Sequence, residues 1–172
     1  WNVPAYHFDP TGRYDKTLPL CKDPWSTNEV IDRRCDHIRA GEHSTDILAE
    51  AAVNFIETTG DDPFFAYVSF LAPHDPRTMP QRFLDMYDPD EIGLPPNYMP
   101  VHPFDNGELS IRDELLAEFP RTEAEIRRHI AEYYAMITHV DDAIGQVLDA
   151  LEKAGKTEDT IIVFAGDNGL AV

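Results

Sequence analysis

Two short runs, Phe64 to Leu71 and Thr160 to Ala165, are apolar or aromatic almost throughout and have the length of strands. A strand with one wet face alternates polar and apolar residues. An unbroken run implies burial on both faces, as in a parallel sheet covered by helices. Between and before these runs the pattern is helical. Leu48, Ala51, Ala52, Phe55 and Ile56 form an apolar stripe up to Gly60, with Ser44 or Thr45 as its expected cap and Asp46 favourably placed at the positive end of the helix. From Thr122 the residues Ile126, Ile130, Tyr133, Ile137, Val140, Ile144, Val147 and Leu151 recur at spacings of four and three. Thr122 and Glu125 make a capping box, Gly155 is the expected C-terminal cap, and Gly145 marks a bend against a neighbour. Helix, strand, long connection, helix and strand describe an α/β fold.

The remaining stretches are irregular. Residues 1–43 are rich in Pro, Asp, Arg and His without a sustained period, and form the irregular part of a single domain whose patterned part is 44–172. Residues 72–121 carry many prolines, and this connection far exceeds the roughly 12–15 residues usual for a structureless loop, which points to a functional or a disordered segment. The chain starts at Trp1 without an initiator methionine and stops at Val172, just beyond a Gly-Asp-Asn-Gly sequence, so both ends are expected to be internal to a longer chain.

With 32 acidic against 14 basic residues the formal charge is −18, which opposes binding to nucleic acid backbones. No run approaches the roughly 18 apolar residues of a bilayer span. Cys21 and Cys35 lie outside any CxxC or Cys/His grouping of the zinc type; pairing and free thiols both remain open.

If both strands lie in one parallel sheet, right-handed crossovers bring Pro73-His74-Asp75-Pro76 and Asp167-Asn168 to the same carboxyl edge, where ligand sites form. Asp167 offers a carboxylate and Asn168 an amide oxygen. These are hard donors suited to Ca²⁺ or Mg²⁺, and Gly166 and Gly169 would permit a tight backbone around them. His74, fixed between prolines, can orient or protonate an anionic ester. His129 and His139 are ten positions apart on one helix, about 280° around it, and cannot share a metal. They read as helix-surface or packing residues. Asp141 and Asp142 read as solvated or structural, and Arg77, Asp85, Asp88 and His102 as solvated loop charge.

Pro63-Phe64-Phe65, leading through Ser69-Phe70 to Ala72-Pro73-His74-Asp75-Pro76, resembles the middle segment of the sulfatase family. Tyr133-Tyr134, Val140-Asp141-Asp142, Ile144-Gly145, Leu148, Leu151 and Thr160-Ile161-Ile162-Val163-Phe164, leading to Gly166-Asp167-Asn168-Gly169, resemble that family's long helix, strand and metal loop. The likeness covers residues 45–172. It implies an alkaline-phosphatase-like α/β fold, incomplete in this chain, and hydrolysis of sulfate monoesters of small molecules or glycans. It also implies a Ca²⁺ site (Mg²⁺ being the alternative) with Asp167 and Asn168 as metal ligands, and His74 as the catalytic, sulfate-contacting histidine. The nucleophile it implies is a formylglycine, made from Cys or Ser in a Cys/Ser-x-Pro-x-Arg motif and expected upstream. Cys35-Asp36-His37-Ile38-Arg39 has histidine in place of the proline, and Cys21-Lys22-Asp23-Pro24 lacks the arginine, so neither cysteine is that nucleophile. Periplasmic or extracellular placement follows from the same resemblance, or lysosomal placement in a eukaryote. The competing readings are a phosphodiesterase or phosphonate-ester hydrolase of the same superfamily, which Asn168 in place of an imidazole disfavours, and a non-catalytic relative that binds sulfated glycans.

Overall fold

The computed structural model describes residues 42–74, 77–104, 107 and 117–169, together with the backbone of two short strands. Those strands, β1 (Cys21–Lys22) and β2 (Val30–Ile31), pair antiparallel with Cys21 opposite Ile31 and Lys22 opposite Val30. Cys35 and its neighbours lie outside the described residues.

Helix α1 (Ser44–Thr58) starts one residue earlier than a Ser44 cap would place it, and two earlier than a Thr45 cap would. The cap is His43, whose Nδ1 accepts the Thr45 backbone N–H at 3.1 Å. An imidazole Nδ1 stands where the side-chain oxygen of an asparagine would, so it satisfies the same orphan donor. Ser44 and Thr45 fall inside the first turn and are buried.

Helix α3 (Glu123–Lys153) is 31 residues long, roughly 46 Å at 1.5 Å per residue. Its ends are those the sequence specifies. The Thr122 hydroxyl accepts from the Glu125 backbone N–H at 3.2 Å. At the other end Lys156 N–H donates to Leu151 O and Gly155 N–H to Glu152 O, with Gly155 at φ 69°, the paired closure that glycine favours. Among the described residues no atom of a neighbouring element comes within 4 Å of a Cβ built on Gly145, so none of them makes the expected close approach there.

The buried face of α3 differs from the expected stripe. Ile130 and Leu151 are buried, yet Ile137 is exposed, and the rest of the face is Ala131, Ala135, Met136, His139, Ala143 and Ala150. Alanine adds one carbon beyond the backbone, so this side admits the closest approach of α1 and of the loop that precedes Gln81. In α1 the contact line runs through Thr45, Ala49 and Ile56, while Ala51 and Phe55 of the expected stripe are exposed. One partner helix covers only part of so broad an apolar face.

The core has two clusters along α3. Ile56, Ala150 and Leu151 pack with Val53, Phe64 and Val147 at its C-terminal half. Met79, Phe83, Ala135 and Met136 pack with Leu84 and Tyr87 at its N-terminal half. The second cluster orders the long connection, which contains α2 (Gln81–Leu84) and a turn of 3₁₀ helix at Pro89–Glu91. Tyr87 and Thr138 share a 2.6 Å hydroxyl hydrogen bond, Arg127 donates to Ile92 O, and Arg121 N–H donates to Pro100 O. Residues 77–92 of the connection therefore pack on α3.

Residues 64–71 and 160–165, expected as strands, are neither helical nor part of a sheet among the described residues. Phe65 is 88% exposed and Ile161 91%. Burial on both faces requires hydrogen-bonded strands on either side and a layer above and below. Here Phe64 packs against the helices, with Phe55 edge-on at 5.6 Å.

Candidate active site

Asp167 and Asn168 stand at the end of the second extended segment, and both are exposed. The Asn168 backbone N–H donates to Asp167 Oδ1 at 2.9 Å. The Asn168 amide also faces the carboxylate, its nitrogen 3.0 Å from Oδ1 and 3.2 Å from Oδ2 in the orientation that satisfies both groups. Turning that amide by 180° places its oxygen in the same spot and converges three oxygens on one point. Such a donor set repels itself until a cation sits between its members, and an all-oxygen set fits Ca²⁺ or Mg²⁺ better than zinc. Among the described residues no group of three or more His, Cys, Asp or Glu residues could hold a metal. The flanking glycines play no special backbone role: neither has positive φ, and a Cβ at Gly166 would meet Asn168 O at an ordinary 3.6 Å.

His74 is exposed and ends a reverse turn in which its backbone N–H donates to Leu71 O at 3.1 Å. It borders a cavity of about 10 Å³, the space of one water, shared with His43 and Ser44 of the α1 start, Thr78 and Met136. Neither Asp167 nor Asn168 lines that cavity. Asp75 and Pro76 lie outside the described residues.

Beside His74 the structure assembles a group that sequence reasoning passed over. His43 Nε2 lies 3.0 Å from Thr78 O and 3.3 Å from its hydroxyl. Its ring meets that of His139 edge-on at 4.7 Å. His139, 1% exposed, donates from Nε2 to Asp46 Oδ1 at 2.8 Å and stacks on Phe83 at 4.7 Å. Its Nδ1 is buried without a partner. The packing role expected for His139 thus holds. Its signal in the sequence was the apolar frame of Ala135, Met136 and Ala143 on the same helical face.

Arg77 is not solvated loop charge. Its Nε lies 2.8 Å from Glu132 on α3, with both side chains mostly covered. Asp85 accepts from Gln81, Asp88 caps the turn at Pro89, and the His102 ring pairs with Phe104, all local uses. Asp142 accepts from Gln146 at 3.0 Å, and both Asp141 and Asp142 are exposed, as expected. His129 has its pKa lowered, first by burial and then by the Arg77 charge.

The Sulfatase family model matches residues 4–172. An ulvan-active sulfatase of Formosa agariphila is 33% identical over 132 residues, covering 75% of this chain and 22% of the relative. An arylsulfatase of Clostridium perfringens is 30% identical over 128 residues, covering 74% and 26%. The multifunctional alkaline phosphatase superfamily protein PehA of Trinickia caryophylli is 27% identical over 140 residues, covering 71% and 26%. The chain thus spans about a quarter of the length of these relatives. No solved structure matches. With the family model covering nearly every residue, and relatives at 30–33% identity over about three quarters of it, the chain belongs to the sulfatase family.

Proposed function

We propose that the complete protein hydrolyses sulfate monoesters, of small molecules or of glycans, with Asp167 and Asn168 holding a divalent cation and His74 contacting the sulfate. Family membership across residues 4–172 is the observation that carries this reading. The names of the relatives, which include an ulvan-active sulfatase, an arylsulfatase and a choline-sulfatase, support a sulfate ester without choosing among substrates.

Two adjacent hard-oxygen side chains, the Asp167 carboxylate and the Asn168 amide, support the cation, Ca²⁺ first and Mg²⁺ as the alternative. When bound, such an ion neutralises oxygen charge on an anionic ester and on its transition state. His74 supplies a hydrogen bond to a sulfate oxygen and, when protonated, a positive charge. In a chain of net charge −18 such local donors are needed to hold an anion at all. The family's formylglycine nucleophile belongs to this reading, and no Cys/Ser-x-Pro-x-Arg motif occurs in these 172 residues. Placement in the periplasm, outside the cell or in a lysosome goes with it.

The parallel sheet belongs here as well. Two apolar, exposed segments, each following a helix packed on its neighbour, support residues 64–71 and 160–165 as strands of a larger alkaline-phosphatase-like sheet. Similarity to a multifunctional alkaline phosphatase superfamily protein keeps phosphate esters as the second reading, and Asn168 weighs against it because a second zinc favours an imidazole ligand.

The test is turnover of paired aryl sulfate and aryl phosphate substrates by the full-length protein. Preference for sulfate is expected, and preference for phosphate would refute the assignment. Asp167→Ala should abolish stoichiometric Ca²⁺ binding by calorimetry while the fold persists, and should lower kcat/KM by more than the roughly 10–100-fold that loss of an outer ligand partner costs.

A further inference from the structure

We infer that His43 is a positioning residue that clamps the His74 loop to the start of α1; the inference rests on the reading of His74 as the sulfate contact. Both nitrogens of His43 are committed, and their partners fix the tautomer. The Thr45 backbone N–H donates to Nδ1, so Nδ1 carries no proton. A backbone carbonyl can only accept, so Nε2 carries the proton and donates it to Thr78 O at 3.0 Å. One neutral imidazole therefore caps a helix with one nitrogen and holds, with the other, a peptide four residues beyond His74.

The surroundings make this clamp rigid. His43 is 3% exposed, and its ring is held against that of His139, which Asp46 and Phe83 fix in turn. His43, Thr78 and His74 line the same small cavity, so a movement of His43 opens space directly beside His74. Next to Thr78, Arg77 is tied to Glu132 of α3. His43 and Glu132 thus hold Thr78 and Arg77 to the start of α1 and to α3.

Two near-isosteric replacements separate the helix cap from the clamp. Asparagine reproduces the acceptor at Nδ1 but falls short of Thr78, whereas glutamine extends an N–H to about the Nε2 position. In the full-length protein, His43→Asn should lower kcat on an aryl sulfate ten- to hundredfold, the range expected of a catalytic group displaced by about 1 Å. Its KM, Ca²⁺ affinity and melting temperature should stay near the parent values. His43→Gln should recover most of the lost kcat. The ¹⁵N signals of the His74 ring, assigned by their loss in His74→Ala, should shift in His43→Asn and return in His43→Gln.

Unchanged kcat and unchanged His74 signals in His43→Asn would overturn the proposal. So would equal losses of kcat in both variants that track a falling melting temperature, since His43 would then be a packing residue. If His74→Ala leaves sulfate turnover intact, the catalytic reading of His74 falls, while a shift of its ring signals in His43→Asn still supports the clamp.

Discussion

At the scale of single residues, what could be read in the sequence was chemistry that neighbours in the chain declare. Asp167 and Asn168 are adjacent, and their convergence needs no distant partner. His43 and His139 act through residues 35 and 93 positions away, so their side-chain types alone predict only a histidine of unspecified role. Arg77 was misread for the same reason, because Glu132 is 55 positions distant. His129 offers a test at this scale. Burial and the Arg77 and Arg128 charges disfavour its protonated form in the folded protein, whereas in the unfolded chain it titrates near the ordinary value of about 6.5. Below that value the unfolded state binds the extra proton, so stability rises with pH. The contribution of His129 is therefore fully present above pH of about 6.5 and is lost as the pH falls from there through the lowered folded value. Urea unfolding at pH 5.5 and 7.5 should show a smaller pH difference for His129→Gln than for the parent chain, and an equal difference would count against the burial cause.

Elements were legible where their signals are local. The Thr122 cap and the Gly155 closure bound α3 where the sequence placed them, because each is decided within one turn of the chain. The faces were less legible. A stripe of large apolar residues predicts which side of α3 is hydrophobic, yet closest packing fell on Ala131, Ala135, Ala143 and Ala150. Small residues decide how near two helices approach, and they carry little weight in a hydrophobic pattern. Likewise the long connection read as structureless because its anchors, such as Tyr87 on Thr138 and Phe83 in the α3 cluster, are tertiary. Gly155→Ala tests the closure. At φ 69° an added Cβ costs about 1–2 kcal/mol, the usual left-handed penalty, and no neighbouring atom within 4 Å adds to it. The expected result is a lower urea midpoint with an unchanged m value. An unaffected midpoint would mean that the last turn frays freely and contributes nothing to stability.

At the scale of the molecule, two strand-like runs and two amphipathic helices point to an α/β class, and of these the described residues show the two helices. A strand is completed by partners that its own residues do not name, and no sheet holds either run among the described residues. In the 172-residue chain Phe65, Tyr67, Ile161, Val163 and Phe164 consequently remain on the surface. Burying each large apolar side chain is worth about 1.5–3 kcal/mol. Four or five of them together approach the roughly 4–15 kcal/mol that two molecules lose in freedom on association. Attraction and cost are thus close, and the charge of −18 decides the outcome through repulsion between copies. That repulsion reaches about 10 Å at 0.1 M salt and about 3 Å at 1 M. Sedimentation velocity on the 172-residue chain should therefore show monomer at low salt and a growing associated fraction as NaCl is raised towards about 1 M, where screening is nearly complete at contact distance. The pair Phe65→Gln and Ile161→Gln leaves the charge untouched and should remove most of the salt-driven association. If both chains stay monomeric at every salt concentration, the exposed segments attract less than their area implies. If both associate equally, the contact lies elsewhere on the surface.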